Sequence, residues 1–85
     1  MTNLLIMQLK IEKQKNIKAK DETELKIKRC FCELSNYLIP YFKSAKDIKA
    51  KEIEQIGDEL LTLKNKLAEI EDKIYEIKEQ LGENG

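Results

Sequence analysis

Residues 53–81 read IEQIGDELLTLKNKLAEIEDKIYEIKEQL, and the apolar residues fall at alternating steps of three and four: Ile53, Ile56, Leu60, Leu63, Leu67, Ile70, Ile74, Ile77 and Leu81. An α-helix completes a turn about every 3.6 residues, so these steps keep one apolar stripe on one side of a helix. With Ile53 at position a of a heptad, the d positions hold Ile56, Leu63, Ile70 and Ile77. Isoleucine at d disfavours a parallel two-stranded coil and shifts preference toward three or four helices. These nine residues are the expected oligomer seam. Gly82 follows the last of them as a stop signal, whereas upstream the pattern meets Lys46 and Lys49, with Ser44 and Asp47 offering a cap. The spacing predicts a coiled-coil helix over residues 45–82, about 57 Å long at 1.5 Å per residue, and a disordered tail at 83–85.

Two details qualify this helix. Gly57 lies inside it at an e position, at a cost of about 1 kcal/mol relative to alanine, but the heptad keeps phase across it and the helix is expected to continue. Leu61, Ala68 and Tyr75 recur at b, about 100° from the a series, and widen the apolar face. A second element, from the N-terminal half, is expected to cover them.

Upstream, Asp21 and Glu24 have capping-box spacing, and Ile27, Phe31, Leu34 and Leu38 follow at helical spacing. A first amphipathic helix is expected over 21–39, ending before Pro40, with a turn at 40–44 that folds it back antiparallel to the second. Residues 1–20 form a Lys-rich segment with two readings. Leu5, Met7, Leu9 and Ile11 alternate with Gln8, Lys10 and Glu12 as in a short strand. The abundance of Lys, Glu and Gln suits a helix instead, one that runs from residue 3 to 39 and satisfies its own backbone. The expected fold is all-α: an antiparallel helical hairpin with a long C-terminal coiled-coil helix, paired as a homodimeric four-helix bundle.

Composition agrees. Charged residues make up 38% of the 85 and aromatics 6%, with three Gly and one Pro, a balance suited to long helices. A chain this short buries little surface alone, so a second copy is expected to complete its core. Net charge is zero, yet residues 1–30 carry eight Lys/Arg against four Asp/Glu and residues 51–85 five against ten. Opposite charges of this kind either lie against each other in the fold or mark a basic surface for nucleic acid. Across a self-pairing of the second helix, exposed charges leave orientation open, each pair being worth only a few tenths of a kcal/mol. In a parallel pairing Glu59 with Lys64 and Lys66 with Glu71 attract while Lys73 with Lys78 repels; in one centred antiparallel pairing Lys64 meets Glu71 but Lys66 meets Lys73.

Chemistry is scarce. The chain has no histidine, its two serines, Ser35 and Ser44, sit in no nucleophile motif, and no glycine-rich loop cradles phosphate. The expectation is no enzyme, no cofactor and no small-molecule substrate. Cys30 and Cys32 point about 200° apart on a helix, so they cannot chelate one metal ion; one is expected to face the core and the other to be partly exposed, and their spacing suits a reducing compartment. Glu69, Glu71, Asp72, Glu76 and Glu79 fall between heptad positions as a solvated face. The longest apolar run, Leu4 to Met7, is too short to cross a membrane, and a cytoplasmic location is expected.

What remains is association. The expected function is a small non-enzymatic protein–protein interaction module that oligomerises by coiled coil and binds a larger protein as adaptor, subunit or inhibitor. Tyr37, Tyr41 and Phe42 are its candidate partner-binding aromatics, since such side chains bury large area at small entropic cost. The alternative is a nucleic-acid-binding dimer using the basic N-terminal third: Lys10, Lys13, Lys15, Lys18, Lys20, Lys26, Lys28 and Arg29.

Overall fold

A computed structural model describes residues 2–38 and 48–83 and resolves them into two helices: α1, Asn3–Tyr37, and α2, Ala50–Leu81. No strand occurs among the described residues, so the alternation at residues 5–11 is part of α1. The helix starts where Thr2, in extended backbone, accepts a hydrogen bond on Oγ1 from the Leu5 amide at 3.2 Å. It runs through Asp21 without interruption. The capping-box spacing there starts no new helix, because the turns before it already supply the amides with carbonyl partners. The Lys-rich segment and the first amphipathic helix are therefore one element, which ends as the Leu38 amide donates to the Leu34 carbonyl at 3.0 Å.

α2 begins at Ala50, five residues later than expected. Ile48 and Lys49 are not helical, and Lys49 provides no side-chain cap. The heptad has lysines in this region and nothing to bury. Ser44 and Asp47 lie outside the described residues, as do the expected turn at 40–44, Tyr41 and Phe42. Gly57 sits inside a continuous helix. At the far end Gly82 adopts φ 72°, its amide donates to the Glu79 carbonyl, and the Glu83 amide donates to Lys78 at 2.7 Å. This is a Schellman ending, which glycine accepts without the Cβ clash another residue would meet, and Lys78 lies favourably at the negative end of the helix dipole.

The helices are antiparallel. Tyr37 packs in the cluster around Ile56, Cys30 joins Ile56 and Leu63, Lys20 faces Glu71, and Lys13 meets Glu83. The pair forms a rod of 66 × 20 × 14 Å. Along α2 all nine seam residues turn toward α1: Ile56, Leu63, Ile70, Ile74 and Ile77 are buried, and Ile53, Leu60, Leu67 and Leu81 half-buried. The buried and half-buried residues of α1 include Ile6, Leu9, Lys13, Asn16, Lys20, Thr23, Ile27, Cys30, Leu34 and Tyr37, again at alternating steps of three and four. With Ile6 at a, α1 carries a complete heptad whose four middle places are polar.

The amphipathic face of α1 is thus not the expected one. Ile27 and Leu34 point inward, but Phe31 and Leu38 are exposed, and Cys30 and Tyr37 take the inner places. The helix rotates so that the whole length of α2's stripe is covered. The main cluster lies toward the connection, where Cys30, Ile56 and Leu63 are surrounded by Ile27, Leu34, Tyr37 and Leu60. Burying a side chain such as Leu63 stabilises by about 2 kcal/mol.

Candidate interaction surfaces

Two antiparallel helices leave four sides: two backs and two flanks where the helices meet. On one flank Lys26 and Glu33 of α1 share a shallow cleft with Glu59 of α2, continued by Glu33, Glu52 and Gln55. These charged residues are at g in both heptads. The opposite flank must then carry the e positions of both helices with b beside them, and the Lys20–Glu71 pair, Nζ to Oε1 3.9 Å, falls on that side. Ile17, Phe31 and Leu38 are at e of α1; Gly57 is at e of α2 and Leu61, Ala68 and Tyr75 at b. One flank is polar; the other sets its apolar side chains among charged ones.

The b-position residues of α2 were expected to be covered by the N-terminal half. They are not, because α1 lies directly over the a/d stripe: Leu61, Ala68 and Tyr75 are all exposed. Along the back of α1, Leu4, Ile11 and Leu25 are exposed in the f register, which also includes Lys18 and Cys32. Around Ile11 a shallow groove is lined by Lys10, Gln14, Lys15 and Lys18.

The polar middle of α1 is satisfied locally. Thr23, 2% exposed, donates from its hydroxyl to the Ala19 carbonyl at 2.8 Å, and Asn16 donates from Nδ2 to the Glu12 carbonyl at 2.9 Å. Lys13 and Lys20 lay their stems along the seam and carry their ammonium groups out to Glu83 and Glu71. The hydrogen bond from Lys13 holds the Glu83 carboxyl below its ordinary value, with the charges of Lys13, Lys10 and Lys78 helping and partial desolvation opposing. Burial pushes the Cys30 thiol above its ordinary value, reinforced by the carboxylates of Glu59 and Glu33. Cys32 is exposed on the outside of the same helix.

The eight basic candidates do not share a face. Lys13 and Lys20 turn to α2, Lys10, Lys15 and Lys18 surround Ile11, Lys26 and Arg29 line the polar cleft with Glu33 and Glu59, and Lys28 lies at a b place. Of the aromatic candidates, Tyr37 is half-buried against the Ile56 cluster, while Tyr41 and Phe42 fall outside the described residues. Sequence reasoning missed Phe31 as a surface residue and Thr23 as an interior one, and left open which of Cys30 and Cys32 faces inward; the structure turns Cys30 in and Cys32 out. The signal was available in the three-and-four steps running back from Tyr37 to Ile6, though four polar residues interrupt it. Among the described residues no cluster of three or more His, Cys, Asp or Glu is placed to hold a metal ion, and no helix is long and apolar enough to cross a membrane. No family model, curated protein or solved structure matches this chain.

Proposed function

We propose that this protein is a non-enzymatic interaction module: a helical hairpin that pairs with a second copy as a four-helix bundle and presents its outer surface to a larger protein, as adaptor, subunit or inhibitor. The observation that carries the reading is the placement of apolar side chains on the outside. Leu4, Met7, Ile11, Phe31, Leu61 and Tyr75 are each more than half exposed on a rod only two helices wide. Phe31, Leu61 and Tyr75 lie on one flank and Leu4 and Ile11 along the back of α1, and apolar side chains grouped on one side in this way suit interaction sites.

The back of α1 suits the larger protein. Ile11 stands among Lys10, Lys15 and Lys18, so the complementary surface is an apolar groove with an acidic rim. The nucleic-acid reading is weaker, because the basic residues are spread around α1 and two of them are engaged with carboxylates of α2. Mass in solution tests self-association: a dimer is expected at micromolar concentration, and a monomer refutes it. Co-purification from the native host tests the partner. A bound protein lost on Ile11→Glu, in a variant whose mass and helicity are unchanged, supports the reading. Recovery of nucleic acid instead, released by raising salt, overturns it.

A further inference from the structure

Given the self-association just proposed, two copies meet on one definite side of the rod. We propose that the apolar flank, with Phe31 and Leu38 of α1 and Leu61, Ala68 and Tyr75 of α2, is the surface on which a second copy of this chain packs. The two-fold axis crosses the rod beside Ala68 and Glu24. Three independent features of the surface converge on that placement.

The first is spacing. On α2, Leu61 and Tyr75 lie seven residues either side of Ala68, so an antiparallel α2–α2 contact centred there sets Leu61 of each copy against Tyr75 of the other, with the small Ala68 self-paired at the axis. On α1, Ile17 and Phe31 lie seven residues either side of Glu24, and a contact centred on Glu24 sets them against each other. The antiparallel register, in which Lys20 faces Glu71 and Cys30 joins Leu63, brings Glu24 and Ala68 to about the same level of the rod. One axis therefore serves both helices. All neighbouring helices in the resulting bundle run antiparallel, as in up-and-down four-helix bundles.

The second is charge. Along this flank the bands alternate: Lys10 and Lys78, then Asp21 and Glu71, then Lys28 and Lys64, then Glu54. Reversing the rod about the axis sets Lys64 against Glu71, Lys28 against Asp21, and Lys10 and Lys78 near Glu54. The other flank also brings opposite charges together under this reversal, Lys26 with Glu22 and Lys15 with Glu33, but it has no row of large apolar side chains to bury with them. Glu24 is the one like-charged contact at the axis, with Lys28 a turn away.

The third is area. Phe31, Leu38, Leu61 and Tyr75 are 54–61% exposed. At about 200 Å² for a large side chain, they offer roughly 450 Å² of apolar surface per copy. Doubled, that matches the apolar share, somewhat over half, of a specific interface burying about 1,600 Å².

The test uses the full chain in a Cys32→Ala background. Ala68→Cys is expected to form a covalent dimer under oxidised glutathione at least ~10-fold faster than Thr62→Cys on the polar side, because only a residue at the axis meets its own copy. Lys28→Glu and Asp21→Lys, at a cross-copy pair with no ion-pair partner in its own chain among the described residues, should each weaken the dimer, and the double exchange should restore it, while Glu24→Gln should tighten it. If the chain is dimeric by mass but Ala68→Cys reacts no faster than Thr62→Cys and the double exchange restores nothing, this flank is not the interface and the proposal fails while self-association stands. If the chain is monomeric at micromolar concentration, both fail.

Discussion

Thr23→Val is the substitution most diagnostic of how α1 sits on α2. Thr23 is the most enclosed side chain among the described residues, at 2% exposed, and its hydroxyl donates to the Ala19 carbonyl at 2.8 Å. That carbonyl already accepts the Thr23 amide within the helix, so valine removes a hydrogen bond without orphaning a partner. In an apolar setting the lost bond is worth about 5 kcal/mol, while relief of the hydroxyl's desolvation returns about 5 and burial of a methyl group about 1, leaving a net stabilisation of about 1 kcal/mol. For a chain of this size that raises the melting temperature by roughly 4–8 °C. Thr62 is the internal control: its hydroxyl makes the same bond to the Asp58 carbonyl at 3.1 Å, but on an exposed face. Thr62→Val should change stability by less than about 0.5 kcal/mol. Thermal and urea melts followed by circular dichroism, at one protein concentration because association shifts apparent stability, give the comparison. Were Thr23→Val no more stabilising than Thr62→Val, Thr23 would not lie against α2's apolar stripe, and the register described here would be wrong.

Further expectations concern single groups. Alkylation of the native protein at neutral pH should label Cys32 and spare Cys30, which is buried and whose thiol is raised by burial and by Glu59 and Glu33; equal labelling, read by mass spectrometry, would contradict the packing. Glu83 is lowered in the folded state by Lys13, so its contribution to stability is present above its ordinary value, near 4.5, and is lost as pH falls through the lower folded one. Stability measured against pH should show that loss in the native protein and lack it in Glu83→Gln. Gly57→Ala should stabilise by about 1 kcal/mol through helix propensity, since nothing lies within 4 Å of where its Cβ would stand; a drop in melting temperature would show a close approach there.

The second helix was legible in the sequence because its stripe is apolar at every place from Ile53 to Leu81, and burial then follows from period alone. The end at Gly82 was legible too, as glycine there meets a backbone demand. The start at Ala50 was less so, since lysines at the preceding heptad places neither cap nor break a helix. For α1 the spacing of Ile27, Phe31, Leu34 and Leu38 points Phe31 and Leu38 inward and leaves Tyr37 for a partner, whereas the structure gives the inner places to Cys30 and Tyr37. In a two-helix rod, register with the partner decides instead, and a small thiol at the seam fits better than a ring. The polar quartet Lys13, Asn16, Lys20 and Thr23 hid the remainder of the heptad. Only the partner helix, with Glu71 and Glu83 beside the lysines, shows how those residues are accommodated. Of the surface, the b series of Leu61, Ala68 and Tyr75 was visible as apolar; that it stays outward-facing depended on where α1 lay.

That quartet also divides the rod into unequal halves. Toward the connection α1 grips α2 with Ile27, Cys30, Leu34 and Tyr37; from Lys13 to Thr23 it rests on the same kind of apolar surface with polar side chains. Local opening favours segments with few apolar contacts, so amide exchange should be slowest around Leu63 and faster from Ile70 outward. α2's stripe is unbroken over both halves, and the tether keeps α1 near it at a millimolar effective concentration. A foreign helix with apolar residues opposite Ile70, Ile74 and Ile77 therefore competes best at the loosely held half, displacing α1 from its ordinary place without first undoing the tight one.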